Sequence, residues 1–420
     1  MRAAHTLPLR REMKQNKETA MTISDRYSVL THVGPGTPMG RYMRFFWHPI
    51  ASAEELKDHP KPVRILGEDL VLFRTTNGKL GLLAQRCAHR SASLGCGMIE
   101  DDGIRCAYHA WKYDLTGQCV DIPSERGDRK VSSRIKIPGY QVHEAGGLIW
   151  AYLGAQPAPL FPRYEFIVGE QYDHDVGLSE LPCNWLQIAE NNMDPYHVEY
   201  LHFMYTNYVH ERIGKPKIPV RRHAKIDFEV FEYGIIKRRL WEGESEDSEE
   251  WTIGHPQIWP GTAIVTYPNG GVQAQIRTPI DDTNTRIYWY NAKLRPAGQP
   301  ADPLCPTFDN PFRKADGGYH VETLNGQDMV VMVTQGEIAD RTLENLVNSD
   351  RGVVLYRRVL LEQLDRIARG EDPLGVVRDP AKNTPFIELP MEKHVDYTLA
   401  GVSATPDRSW DNPVPKEAAE

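Results

Sequence analysis

Residues 87–109 read CAHRSASLGCGMIEDDGIRCAYH, and this run decides the fold. It holds Cys87-Ala-His89, then sixteen residues, then Cys106-Ala-Tyr-His109. Each half supplies one thiolate and one imidazole. A structural zinc ion accepts the same donor types, but zinc sites usually pair like with like, Cys beside Cys and His beside His. The interleaved order fits a two-iron centre instead, one iron taking both cysteines and the other both histidines. Replacing two anionic thiolates by neutral imidazoles raises the potential of such a [2Fe–2S] centre, so it accepts electrons from a low-potential donor. Gly95 and Gly97 permit tight loops beside it, and Trp111 follows as an apolar cover.

Outward from this run, Met43 to about Leu153 is strand-like, with short apolar runs between turn signals. VRIL, DLVLFRTTNGKLGLLAQ, IRCAYHAWKYDLTGQCV and GGLIWAYLG are the runs, with turns at Asn77-Gly78 and Thr116-Gly117. They predict a small all-β unit. GAQPAPLFPRYEF, with three prolines between Gly154 and Phe166, reads as a linker. Beyond it, residues 184–204 carry a helical pattern interrupted by Pro195, residues 226–241 and 262–292 read as strands, and 342–368 is helical. The expected fold class is therefore α+β: an N-terminal all-β [2Fe–2S] domain, then an α+β domain with an antiparallel sheet flanked by helices. The boundaries expected are 1–40 for an N-terminal extension, 41–155 for the cluster domain and 156–420 for the rest. The basic, polar first twenty residues read as disordered, and Met21 is an alternative start. The proline-rich tail after about 375 either wraps a surface or is loose.

Composition excludes more than it assigns. A net charge of −8 argues against nucleic acid as a partner. No stretch approaches the roughly 18 apolar residues of a membrane span, and the N-terminus lacks the apolar core of an export signal. Six cysteines in 420 residues make no disulfide framework, and four of them crowd into residues 87–119. A reducing cytoplasm is the simplest compartment.

A second constellation runs Asn184-Trp-Leu-Gln-Ile-Ala-Glu190-Asn-Asn-Met-Asp194-Pro-Tyr-His197-Val-Glu-Tyr-Leu-His202. Two histidines and one carboxylate with open positions make the ligand set of iron(II) oxygenases. In a regular α-helix, residues five apart lie about 140° apart around the axis and do not converge. A π-bulge or a helix break brings them together, and Pro195 gives a reason for irregularity. Asp194 lies three before His197, so its carboxylate can bond the far nitrogen of that ring. Asp194-Pro195 is also a good N-cap followed by Pro at N1.

The pair C-x-H-x16-C-x-x-H and E-x-x-x-D-x-x-H-x-x-x-x-H resembles the α subunit of Rieske non-haem iron oxygenases, over nearly the whole chain. PMGRYMRFFWHPI (38–50) and NGQDMVVMVTQGEIADRTLENLVNSDRGVV (325–354) resemble the phthalate-dioxygenase-like branch, which includes O-demethylases of lignin-derived methoxyaryl acids. GEDPLGVVRDPAKN resembles the biaryl demethylases. Asn191 departs from the Gly that the branch usually carries after the Glu.

The resemblance implies two cofactors, a [2Fe–2S] cluster on Cys87, His89, Cys106 and His109 and a mononuclear Fe(II) on His197 and His202. It places the third iron ligand at Asp328, at the start of a predicted helix. Asp309, Asp316, Glu322, Asp340 and Asp350 are the rival carboxylates, and capping after an Asn325-Gly326 turn is the rival role for Asp328. It further implies an aromatic, carboxylated substrate with O₂ and a separate flavin/iron-sulfur reductase or ferredoxin. The expected assembly is a homotrimer or dimer of trimers, in which Asp194 bridges His109 of one chain to His197 of the next. O-demethylation of a methoxyaryl acid is the expected reaction, with ring hydroxylation or cis-dihydroxylation of an aromatic carboxylate as the alternative and a cluster-bearing electron carrier or zinc-stapled binding protein as distant ones. Arg277, Trp259, Trp289 and Tyr290 fall on strands that could line a pocket, although core placement is the simpler expectation for each.

Overall fold

The computed structural model describes residues 27–393, apart from 127–128, 268–269 and 303. The expectations for residues 1–20, for Met21 and for the end of the tail lie outside the described residues.

The Asn-Gly hairpin forms as its turn chemistry requires. Glu68–Arg74 pairs antiparallel with Leu80–Ala84, and Gly78 takes a φ of +86°, open to glycine at no steric cost. These strands lie in a six-stranded antiparallel sheet whose far edge is Trp47–Ser52, paired with Leu148–Tyr152. A four-stranded meander, Met98–Ile99, Gly103–Arg105, Lys112–Asp114 and Cys119–Asp121, stands apart from it. Between the two sheets lies an apolar core of Val71, Phe73, Leu83, Leu94, Ile104, Tyr113, Ile122 and Ile137, beneath both cysteines. The first constellation thus rests on a core of its own.

The second half is built on an eight-stranded sheet. It is antiparallel except at one edge, where Thr307–Asp309 runs parallel to Tyr172–Leu181. Helices Trp185–Asn192, Leu324–Val333 and Arg351–Ala368 flank the site-bearing segment. The last of these begins nine residues later than the sequence pattern suggests, since 342–350 is not α-helical. Its polar residues bond locally instead: the Asp350 carboxylate accepts the Val347 N–H at 2.7 Å. Glu344 is drawn to Arg357 at 2.6 and 2.7 Å.

Residues 27–40, read from sequence as part of an extension, are built into the interior. Leu30, Val33 and Met39 are fully buried against Trp185, Tyr356 and Leu360. Their carbonyls hold the start of helix Trp185–Asn192, with Trp185 Nε1 on Leu30 O and Asn184 Nδ2 on Thr31 O. The described part of the tail wraps. Val377, Ile387 and Leu389 are buried, and Ile387 exchanges main-chain bonds with Arg163 and Glu165. Among the described residues no helix is long and apolar enough to cross a membrane.

Candidate metal centres

The two halves of the first constellation adopt the same turn. Cys87 O accepts the N–H of Ser91, and Cys106 O accepts the N–H of Ala110. Cys87 N donates to Ala92 O, and Cys106 N to Trp111 O. Ser91 and Ala110 both take left-handed φ values, +57° and +59°. Two non-glycine residues in that strained region, at matching places, mark a backbone held for a purpose.

The turns sink both thiols, with Cys87 and Cys106 each 2% exposed, and leave both imidazoles at the surface. The His89 and His109 rings meet edge-on with centroids 4.5 Å apart, and Trp111 stacks on His89 at 4.5 Å and 6°. Trp111 therefore covers one ring rather than the whole centre. Tyr113, which the sequence did not single out, sets its hydroxyl 3.2 Å from Cys87 Sγ and accepts the Ala88 N–H. The donor set fits a [2Fe–2S] cluster: paired thiols inside, paired imidazoles outside.

The second constellation converges by the route its spacing demands. Helix Trp185–Asn192 stops, the chain breaks at Met193-Asp194, and Val198–Tyr205 winds as a π-helix. The wider π turn brings residues five apart to one side. His197 and His202 stand with ring centroids 5.1 Å apart. Asp328 reaches them from helix Leu324–Val333, with Oδ1 at 3.6 Å from His197 Nε2 and 3.2 Å from His202 Nε2. Among the described residues this is the one group of three or more potential ligands whose donor atoms all lie within 4.8 Å of one another.

Asp328 sits in the second turn of its helix, which Thr323 caps, so the capping role proposed for it falls away. Four of its rivals are engaged elsewhere: Glu322 with Lys314 and His320, and Asp316, Asp340 and Asp350 with nearby main-chain N–H groups. Asp309 lies exposed on the parallel edge strand.

Each ring is oriented by its other nitrogen, as metal-bound imidazoles generally are. His202 Nδ1 lies 3.0 Å from Gln327 Oε1, and Gln327 in turn donates to Thr206 and Val321. His197 Nδ1 bonds the main-chain carbonyl of Asp194, not the carboxylate expected there. The carboxylate is left to accept the Tyr196 N–H at 3.0 Å as a cap. Burial pushes His197 down to about 3, so the ring is neutral with a lone pair to offer. Burial opposes ionisation of Asp328, but the His202 and His197 imidazoles outweigh it and hold the carboxyl below its ordinary range. Asn191 Nδ2 stands 3.4 Å from Asp328 Oδ1, so the departure from Gly places a donor beside the carboxylate.

Asp194 and His197 open onto a groove of about 640 Å³, whose wall includes Tyr200, Tyr205, Val330 and Leu346. In its wall, buried Glu190 takes Arg357 at 2.6 Å and Arg341 at 3.0 Å, tying helix Arg351–Ala368 to the helix before the break. None of the four strand residues weighed as pocket lining reaches this groove. Trp289 and Tyr290 are core, and Arg277 and Trp259 border a separate internal space of about 40 Å³.

Two paired thiol–imidazole turns on a β core, followed by a two-histidine, one-carboxylate triad on a broken helix, define an iron-dependent oxygenase subunit. Comparison with known proteins agrees. Residues 46–140 match the Rieske [2Fe-2S] domain, and residues 313–407 the LigXa C-terminal domain like family. The chain is 38% identical over 390 residues to the 5,5'-dehydrodivanillate O-demethylase oxygenase subunit of Sphingobium sp. (strain NBRC 103272 / SYK-6), covering 91% of this chain and 90% of that one. It is 31% identical to the phthalate 4,5-dioxygenase oxygenase subunit of Pseudomonas putida, over 83% and 87%. The reduced complex between oxygenase and ferredoxin in carbazole 1,9a-dioxygenase shares the fold, with a TM-score of 0.56 at 20% identity over 76% and 91% of the two chains.

The chain belongs to the Rieske non-haem iron oxygenases, as an oxygenase subunit served by a separate reductase. Its cofactors are a [2Fe–2S] cluster and a mononuclear iron.

Proposed function

We propose that residues 41–155 and 156–420 act as a cluster-bearing unit and an oxygenating unit, which together O-demethylate a methoxylated aromatic acid. The observation that carries the reading is the convergence of His197, His202 and Asp328 beside a groove that also holds Asp194. The similarity to an O-demethylase subunit, at 38% identity over most of both chains, supplies the direction of the substrate.

In this reading Cys87, His89, Cys106 and His109 hold the cluster and His197, His202 and Asp328 hold the iron. When bound, the two centres supply reductive activation of O₂, and the protein contributes no nucleophile. Gln327 and the Asp194 carbonyl fix the two imidazoles, leaving the remaining faces of the triad to substrate and O₂. Oxidation of the substrate's methoxy C–H gives a hemiacetal that collapses to a phenol and formaldehyde.

The site is shared between copies. His89 and His109 are exposed, beside Tyr108 at 56% exposure. Beside the groove, Tyr200, Met204 and Tyr208 form an outward apolar stripe at every fourth residue, each at least half exposed. An exposed stripe of this kind marks a surface made for a partner. A head-to-tail ring of three copies seats His109 of one against Asp194 of the next. A flavin/iron-sulfur reductase or ferredoxin then serves the outer side of the cluster, in the cytoplasm.

Ring hydroxylation is the second reading, favoured by the phthalate dioxygenase relative. Incubation of the holoenzyme with a competent reductase and 5,5'-dehydrodivanillate or vanillate, with assay for formaldehyde, separates the two. Stoichiometric formaldehyde supports demethylation. A hydroxylated product that retains its methoxy group rejects it.

A further inference from the structure

Among the described residues no carboxylate is bonded to the buried amine of Lys237. It lies on strand Gly234–Trp241, opposite His255, and is 3% exposed. Its two hydrogen bonds both go to Asn192, at 2.7 Å to the main-chain carbonyl and 3.4 Å to Oδ1. Burial is the main influence on the amine, lowering it to about 7. Burying such a group is costly, and its hydrogen bonds to Asn192 offset that cost only in part.

The placement is at the break in the site-bearing helix. Asn192 is the last residue of helix Trp185–Asn192, and its carbonyl is one of those a helix leaves without an internal partner. Two residues on, the Asp194 carbonyl orients His197. Across the break the ladder narrows to short bonds, Met193 N–H on Glu190 O at 2.9 Å and Asp194 N–H on Asn191 O at 3.2 Å, and the Asn192 carbonyl takes its partner from outside the helix. The sheet holds Asn192 twice, by Lys237 on its carbonyl and by Gln257 Oε1, which accepts from Asn192 Nδ2 at 3.0 Å. On the other side, Gly352 packs so closely that a Cβ there would stand 2.1 Å from Met193 O. Residues 192–194 are clamped between the sheet and the C-terminal helix.

We propose that Lys237 is a positioning residue of the reaction. By gripping Asn192 O at the break, it fixes where Asp194 presents its carbonyl to His197 and its carboxylate to the groove. This rests on the reading of His197 as an iron ligand and Asp194 as the contact between copies.

The test uses the full-length holoprotein with Lys237→Met and Lys237→Arg; Lys237→Gln, which keeps a donor, stands in where the methionine variant does not fold. Two readouts are taken. The first is the EPR signal of the nitric oxide adduct of the reduced mononuclear iron. The second is the rate at which dithionite-reduced protein reoxidises its cluster with O₂ and 5,5'-dehydrodivanillate. Loss of an outer partner of this kind is expected to slow reoxidation about 10- to 100-fold. Affinity for the acid and the cluster's visible spectrum should stay as in wild type, the nitric oxide signal should change symmetry, and Lys237→Arg should recover most of the rate.

Lowered melting temperature with wild-type rate and wild-type nitric oxide signal would overturn the proposal, leaving a structural lysine. Weakened binding of the acid with an unchanged rate at saturation would also overturn it, in favour of substrate recognition. A wild-type protein that ignores 5,5'-dehydrodivanillate would count against the substrate assignment alone. The nitric oxide signal, which needs no aromatic, would still decide the role of Lys237.

Discussion

The two metal centres are built on opposite plans. The cluster site comes from one stretch of chain, two copies of a five-residue turn placed by main-chain bonds, and it leaves its imidazoles in solvent. The triad comes from two helices far apart in sequence, oriented by the Gln327 side chain and a carbonyl at a helix break, with His202 and Asp328 6% and 8% exposed. One centre is made to be reached by partners. The other is sunk beside a groove and made to hold its rings still.

The difference predicts that the centres can be emptied independently. Cys106→Ser should abolish the cluster and all turnover while leaving the mononuclear iron in place. Asp328→Ala should do the reverse, giving inactive protein with an intact cluster spectrum. Iron and acid-labile sulfide analysis of the two variants checks both, and loss of the cluster from the Asp328 variant would break the claim that the plans are separate.

A smaller effect is expected at Gln327. Gln327→Ala frees His202 to turn, and loss of such a partner typically costs about 10- to 100-fold in metal affinity or activity. Titration of apo-protein with Fe(II) measures it, and wild-type affinity would mean that packing alone holds the ring. On the cluster side, Trp111→Ala removes a stacked ring from His89. The expected loss is about 0.5–1.5 kcal/mol, seen as earlier bleaching of the cluster on heating.

How far the sequence reached follows from the same contrast. The paired thiol–imidazole turns were legible because Cys87, His89, Cys106 and His109 sit in one run with the turn glycines around them. The two histidines were legible through an argument from failure, since a regular helix would separate them, and the π-helix is the geometry that the spacing called for. The approach of Asp328 to the two histidines was not legible from spacing, because a contact made over a long stretch of chain leaves no periodic trace and the resemblance alone singled it out. Gln327 and Tyr113 act through orientation across the fold, which no local pattern encodes. The Asp194 carboxylate was assigned a bond that its own carbonyl makes, since main-chain acceptors are invisible to a search for side-chain donors. The apolar spacing that suggested a helix over 342–368 falls at 353–367, and upstream of it Glu344 reaches forward to Arg357 and Asp350 accepts the Val347 N–H instead of extending the helix.

A further effect concerns a group outside both centres. His48 is buried with Nε2 2.8 Å from Met43 O, and burial lowers its imidazole from 6.5 to about 4. The folded chain therefore holds it neutral while the unfolded chain protonates it. Its stabilising contribution is full above about pH 6.5 and is lost as pH falls toward 4, by about 3 kcal/mol. Denaturant melts of wild type and His48→Gln across that range should show the acid slope reduced in the variant.

The account stands or falls on whether the exposed cluster of one copy serves the buried iron of another. Cys106→Ser and Asp328→Ala chains, each inactive alone, can be co-expressed and purified as mixed assemblies. Shared sites predict that formaldehyde production returns, from ring positions where an intact cluster faces an intact triad. Mixed assemblies that form but stay inactive would contradict the account.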